Sequence, residues 1–563
     1  MIYHCEDHTC NYWDEGEKLP ERCPQCGRKL LRANEADMTG DDWTALGNTL
    51  WDAEASDKKR MVDCFRKAAY LGSAWGVCNL GICMEQGNGV EADPVQAFWL
   101  YQQAVEMGSL NAVCCLGVCY EYGIGTAPDA KQAAELYCKA AEYGSPRGQM
   151  LLAHAFHDGI GVEADAAEAA YWVRAAAYQR YGEGMHRLGV CYAYGDGVEQ
   201  NWEHAVHWFR AAAESGVSVA MTDLGCCYEK GYGVEQSWEQ AFSWYRRGAE
   251  CGYPVSMSNL GLCYKRGYGV DQNWQEAIKW YEQGAQCGDL QSMHNLACCY
   301  ERGEGVEQNE ERALYWYRRG AEAGSDYCMY CLGWNYSNGE GVEQNMTEAI
   351  RWYTAAAEGG NADAMHDLGW LYDHGEGVEQ DMKKAICWYE RAAEQNHPAA
   401  MNSLGECYAM GRGVPRDLET AMEWYRRAAE LGEAMADYNM GWHLEQAGKL
   451  SEAYAHYRKA ADGNDDSAWW ALGRFYENGV VVAQDGKEAR RCYETGEKLG
   501  SVKCKMRLAR CKLLGIGGRR AKKAGLDLCR QALELAKESS EKEDYGYEAE
   551  MNLLRRTIAE NES

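Results

Sequence analysis

Leu224-Gly225-Cys226-Cys227-Tyr228, then Gly231-Tyr232-Gly233-Val234, then Ala241-Phe242-Ser243-Trp244-Tyr245 is a helix, a turn and a second helix written in apolar spacing. Ala220, Met221, Leu224, Cys227 and Tyr228 fall on one face of a 3.6-residue period and predict the first helix. The glycines of Gly231-Tyr232-Gly233-Val234 supply the backbone freedom of a C-cap and turn. Ser237 then stands where an N-cap belongs, with Glu239 and Gln240 in the first turn of the second helix. Ala241, Trp244, Tyr245 and Ala249 form its buried stripe. Small residues at Gly225, Ala241, Gly248 and Ala249 let the two helices approach, and Trp244 and Tyr245 fill the space between pairs.

The same hairpin recurs on both sides. Leu-Gly or a close equivalent returns every 36 residues at Leu80-Gly81, Leu116-Gly117, Leu152-Ala153, Leu188-Gly189, Leu224-Gly225, Leu260-Gly261, Leu296-Ala297, Leu332-Gly333, Leu368-Gly369, Leu404-Gly405 and Met440-Gly441. Weaker copies follow at Leu472-Gly473 and Leu508-Ala509, and a shorter one precedes them at Leu46-Gly47. A fixed period of roughly 20–50 residues predicts stacked units sharing one continuous core rather than a single globule. The predicted fold is all-α, an α/α solenoid of about 14 helix–turn–helix repeats over residues 41–536, with a small metal-binding ribbon at 1–33 and a C-terminal capping helix at 537–563. Hydrophobic residues at 46% suffice for such a core. The 8 prolines among 563 residues suit an almost wholly helical chain, because proline inside a helix costs ~3 kcal/mol.

A net charge of −29, spread along the whole length, repels phosphate backbones and anionic lipid, so neither nucleic acid nor a membrane is an expected partner. Basic or neutral partners are favoured. No apolar run of ~18 residues exists to span a bilayer. Met1-Ile2-Tyr3-His4-Cys5-Glu6-Asp7 has no basic region followed by an apolar run, and the expected compartment is the cytoplasm.

The repeat, carried for example by Leu188-Gly189, Tyr192, Gly195-Asp196-Gly197-Val198, Ala205, Trp208 and Ala211-Ala212, resembles the Sel-1-like repeat, a relative of the tetratricopeptide repeat. The resemblance implies a right-handed superhelix and an adaptor role, arranging partner proteins; it does not imply a catalytic activity. The chain departs from the pattern at its ends. The first copy lacks the Gly-x-Gly, and Ala447-Gly448-Lys449-Leu450 makes a turn four residues shorter. The tail after Ser540, with Tyr547, Met551, Leu554 and Ile558 at helical spacing, is expected to be a solvating cap helix.

Cys5, Cys10, Cys23 and Cys26 stand apart from the repeats. Their C-x4-C-x12-C-x2-C spacing offers four soft ligands suited to tetrahedral Zn(II), and Cys23-Pro24-Gln25-Cys26-Gly27 is a knuckle. A segment of ~30 residues buries too little apolar surface to fold alone, so a metal explains its order. Residues 15–27 also resemble the rubredoxin-like ribbon of rubrerythrins, whose first knuckle is C-x2-C rather than the C-x4-C found here. That resemblance implies iron as the alternative metal, and with it a metal- or redox-linked regulator. His8 is a further candidate ligand in place of Cys10.

Cys83, Cys119, Cys191, Cys227, Cys263, Cys299 and Cys407 share one slot, three residues after the repeat leucine. Equivalent slots in successive helices lie ~8–10 Å or more apart, beyond the ~7 Å Cα limit for a disulfide. These cysteines are expected to be small buried hydrophobes.

Mapped onto the tetratricopeptide relative, the positions two before and two after the repeat leucine face a concave groove. They carry Tyr330 and Trp334, His366 and Trp370, then Tyr438 and Trp442 toward the carboxyl end. Each pair is spaced i, i+4 and shares a face. Aromatics there are candidate anchors for a peptide or protein partner; packing against the neighbouring first helix is the other reading. No Walker A loop, H-E-x-x-H helix or G-x-S-x-G elbow occurs, and Ser56-Asp57-Lys58-Lys59 matches S-x-x-K without an S-D-N or K-T-G companion. The function expected is a non-catalytic interaction scaffold.

Overall fold

The computed structural model describes residues 2–5, 13–15, 30–32, 38–51, 55–542 and 547–562. At the amino terminus the backbone forms β1 (Ile2–Cys5), β2 (Trp13–Glu15) and β3 (Leu30–Arg32), with β1 central and both neighbours antiparallel to it. The register pairs Ile2 with Glu15 and Cys5 with Leu30. The other described residues form helices joined by short turns. None of these helices is long and apolar enough to cross a membrane. The chain divides into two compact units, Met1–Ser292 and Met293–Ser563.

Within the first unit, the hairpin of Ser218–Lys230 and Trp238–Glu250 shows how the repeat is built. Ser237 Oγ accepts from the Gln240 amide at 3.3 Å, capping the second helix where the sequence placed the cap. Gly231 ends the first helix in the left-handed region, its amide returning to the Cys227 carbonyl. The Ser237 amide donates to the Tyr228 carbonyl at 2.9 Å, which fixes where the second helix starts.

The glycine after the repeat leucine has a steric cause. A Cβ on Gly225 would lie 2.5 Å from a ring carbon of Tyr245, the largest fully buried side chain of the second helix. Gly117 meets Tyr137 and Gly189 meets Phe209 in the same way. The Tyr245 hydroxyl donates to Glu229 Oε2 at 2.8 Å, and burial pushes its phenol far above the ordinary range. The second glycine of the turn does a different job. At Gly233, φ is +66° and a Cβ would lie 2.3 Å from the Trp202 carbonyl oxygen, at the start of the preceding repeat's second helix. Gly-x-Gly is therefore both a cap and the seat of one repeat on the next.

The second unit repeats the scheme, with Gly333, Gly369 and Gly405 set against Tyr353, Tyr389 and Tyr425. The short turn is seen between Ala434–Gln446 and Leu450–Asp462. Gly448 there has nothing within 4 Å of its absent Cβ, so this turn makes no such seat.

The helices of the tail are bounded differently from the cap expected at 537–563. Helix Lys522–Lys542 runs through residue 537, and the terminal helix is Glu548–Glu562. Met551 and Leu554 are buried in one cluster with Met506, Leu513 and Cys529, and Ile558 packs against it. Glu550 is buried too, accepting from Arg507 Nε at 2.6 Å, Arg507 Nη2 at 2.7 Å and Trp470 Nε1 at 3.3 Å. One face of this helix is core, because the last repeats have no further repeat to cover them.

The cysteines three after the repeat leucine are buried as expected, and no disulfide occurs among the described residues. Burial pushes the Cys83, Cys191 and Cys407 thiols up to about 11 and those of Cys227 and Cys263 up to about 12.

Candidate partner-binding surface

In the second unit, the buried leucines Leu332 and Leu368 and Met440 fix the rotation of their helices, and residues two before and two after them inherit defined directions. The two directions are not equivalent. Trp334, Trp370 and Trp442, two after, are 46%, 38% and 37% exposed. Tyr330, His366 and Tyr438, two before, are half-buried.

The cause lies in the next repeat. The Tyr330 hydroxyl donates to Asp367 Oδ2 at 3.2 Å, on the first helix that follows, and its ring packs on Tyr353 at 5.7 Å. Burial first, and the Asp367 charge second, push this phenol above its ordinary range. His366 stacks on His397 at 5.2 Å and lies 5.8 Å from the Tyr389 ring, while its Nδ1 is 3.1 Å from Asp367 Oδ1. His397 in turn lies 3.1 Å from Asp363. Tyr438 packs on Tyr457 at 5.6 Å, with burial pushing its phenol up to about 12. Trp370 stacks on His374 at 4.3 Å, and Trp442 stands edge-on to His443 at 4.7 Å. Burial, then Arg416, lowers the His443 pKa.

Between Trp370 and Trp442 the aromatic row is broken by Glu406. Asn439 Nδ2 donates to Asn402 Oδ1 at 3.0 Å and to Glu406 Oε1 at 3.2 Å, and Arg412 Nη1 reaches the buried Asp373 at 2.9 Å. The surface thus carries three exposed indoles, with the carboxylates Asp363, Asp367 and Glu406 on the same run of first helices. Sequence reasoning passed over this polar break. Its signal was Asn402 and Glu406 occupying the slots filled by aromatics in neighbouring copies.

The first unit holds a feature the sequence did not announce, a cavity of about 550 Å³ bordered by Arg147, Met150, His154, His157, Arg187 and Asp196. His154 lies 3.5 Å from Asp158, His157 lies 3.5 Å from Asp196, and Arg187 lies 4.0 Å from Asp196. Among the described residues no three His, Cys, Asp or Glu side chains are placed to hold a metal. Of the expected ribbon ligands, Cys10, Cys23 and Cys26 lie outside the described residues, as does the side chain of Cys5.

Twelve stretches of the chain match the family described as Sel1 repeat: residues 76–109, 112–145, 146–181, 182–217, 218–253, 254–289, 290–325, 326–361, 362–397, 398–433, 434–465 and 468–501. Among solved structures, c5321, a protective antigen present in uropathogenic Escherichia coli strains displaying an SLR fold, is 29% identical over 89% of this chain and 94% of its own, with a TM-score of 0.50. A Sel1 repeat protein from Oxalobacter formigenes is 28% identical over 56% of this chain and 93% of its own, with a TM-score of 0.42. No curated protein matches.

Proposed function

The chain belongs to the Sel1 repeat family, and on that premise we propose that it is a non-catalytic cytoplasmic scaffold that holds a protein or peptide partner against the first helices of its repeats. Sel1-repeat proteins are generally protein-interaction scaffolds. The observation that carries the reading to this chain is the set of three tryptophans, Trp334, Trp370 and Trp442, exposed at one repeat position. A large rigid apolar face left in water is a standing free-energy gain for whatever covers it. Tyr330, His366 and Tyr438 are the half-buried supports beneath, and the carboxylates around them select a partner with basic side chains. The acidic surface disfavours nucleic acid.

The test is capture from source cells by wild type and by Trp334→Ala/Trp370→Ala, alongside thermal melts of both. The expected result is loss of one client with an unchanged melting midpoint. Equal capture by the two proteins, or a loss of several kcal/mol of stability marking the indoles as core, overturns the reading.

For the amino-terminal segment we propose structural Zn(II) on Cys5, Cys10, Cys23 and Cys26. Four thiols are the donor set zinc takes in closed sites. The pairing of Cys5 with Leu30 sets Cys5 opposite a residue four along the chain from Cys26. About one zinc per chain by elemental analysis is the expected content, and red protein carrying iron instead overturns it.

A further inference from the structure

The cavity of the first unit has a cause in the repeat register. Every other 36-residue copy from Tyr101 to Tyr425 buries an aromatic ring at one slot of its second helix; the exception is Val173. In the hairpin that holds Tyr245, the ring is met by Gly225 of the facing helix. Its hydroxyl donates to Glu229 Oε2 at 2.8 Å and lies 3.3 Å from Cys226 Sγ. Two repeats earlier the slots of Gly225, Cys226 and Glu229 hold Ala153, His154 and His157. These three residues and Val173 all line the cavity of about 550 Å³. The hole therefore lies where a tyrosine ring and its hydroxyl sit in the neighbouring hairpins. Ala170 adds to the room, standing where the following copies carry Val206, Phe242 and Ile278.

Floor and mouth differ in character. Ala153, Ala169, Ala170, Val173 and Cys191 are buried, whereas His154, His157 and Asp158 are exposed, so the cavity opens beside the two imidazoles. His154 stands two residues after its repeat leucine, the slot that Trp334, Trp370 and Trp442 hold in the second unit. The mouth is thus on the first-helix face. His157 takes the place of the carboxylate that accepts from the phenols of Tyr101, Tyr137 and Tyr245. Its Nε2 lies 3.5 Å from Asp196 Oδ2, and an imidazole beside a carboxylate offers a hydroxyl both a donor and an acceptor. An apolar hollow with a few convergent polar groups is the form of a ligand pocket. Its walls lack the contacts that a ring makes in the other copies.

We propose that this cavity receives a tyrosine side chain of the scaffold's partner, the ring lying over Val173 and the hydroxyl meeting His157. The proposal rests on the scaffold reading above and adds the identity of one residue in the partner. Tyrosine is favoured over phenylalanine because one end of the cavity is polar, and a bare ring would leave His157 and Asp196 unmatched. It is favoured over a charged side chain because the floor is apolar. Binding then makes between two chains the packing that the other hairpins make within one.

The test titrates the full-length protein with p-cresol, the tyrosine side chain as a free molecule, and follows binding by ligand-observed NMR. Saturable binding is expected, with toluene about tenfold weaker for want of the hydroxyl. A blocked Gly-Tyr-Gly tripeptide should bind about as well as p-cresol. Val173→Tyr supplies the missing ring from within the chain and should abolish p-cresol binding while melting no lower than wild type. A tyrosine facing an alanine is already accommodated at Tyr317 and Ala297, both buried. Where Val173→Tyr does not keep the wild-type circular dichroism, Ala170→Ile fills the cavity from its other side. Absence of saturation in wild type, toluene binding as well as p-cresol, or undiminished binding by the filled variant each overturns the proposal. Binding of p-cresol without the tripeptide overturns the assignment to a partner's side chain. None of these readouts uses the client captured through Trp334 and Trp370, so a failure here leaves the scaffold reading standing.

Discussion

Gly225 has only a hydrogen atom to offer the ring of Tyr245, and the fit between the helices of a hairpin depends on it. Gly225→Ala puts a carbon 2.5 Å from that ring and should cost ~1–3 kcal/mol in urea unfolding. Gly225→Ala/Tyr245→Leu should recover part of the loss, because the smaller side chain makes the room. A second residue carries a pH signature. Asp465 caps the helix Asp466–Asn478, accepting from the Ala468 amide at 2.6 Å, yet it is buried. Burial first, with Asp466 and Glu433 adding, raises its carboxyl to about 6. A folded pKa above the ordinary value means that the ionised form is the one the fold resists. This group's contribution to stability is full below about pH 4 and is lost as the pH rises through about 6, a change of about 3 kcal/mol. Asp465→Asn keeps the capping oxygen and cannot ionise. Its unfolding midpoint should match wild type at about pH 4 and exceed it at about pH 8.

At the scale of the helix, the terminal segment Glu548–Glu562 takes the place of a missing repeat. Its charged anchor is the buried contact between Glu550 and Arg507. Glu550→Ala leaves the guanidinium buried without its main partner and should lower stability by about 3 kcal/mol. Conservative replacement by Gln should cost less. Ending the chain at Lys542 should expose Met506 and Leu513, read as new binding of a hydrophobic dye. Element boundaries were legible in the chain wherever a residue answers to its own neighbours: Ser237 as a cap, the Gly-x-Gly turns, the stripe Ala241, Trp244, Tyr245 and Ala249. The burial of Glu550 was not legible. Its partners Trp470 and Arg507 lie 80 and 43 residues away, outside any repeat register. The same reason hid the half-burial of Tyr330, set by how one repeat is rotated on the next. The three tryptophans were legible as a set, but their exposure required knowing which slot faces the following helix.

At the scale of the whole molecule, a charge of −29 acts on anything that approaches. A basic partner should associate more slowly as salt is added, with less effect on its dissociation, and stopped-flow binding at two ionic strengths would separate the two. A salt-independent association rate would mean that contact is governed by the indoles alone. The composition and the period together were enough to foresee an acidic, helical, repeating chain, because both are sums over many residues and tolerate local exceptions.

The second glycine of turns such as Gly231-Tyr232-Gly233, resting on the carbonyl of the hairpin before it, has a bearing on ancestry. Any copy duplicated or dropped in register by unequal crossing-over brings along half of a universal joint and finds the other half already in place. Lineages of this protein are therefore free to lengthen or shorten by whole cassettes. The turn at Gly448, which lacks that joint, marks a point where such exchange should leave a scar.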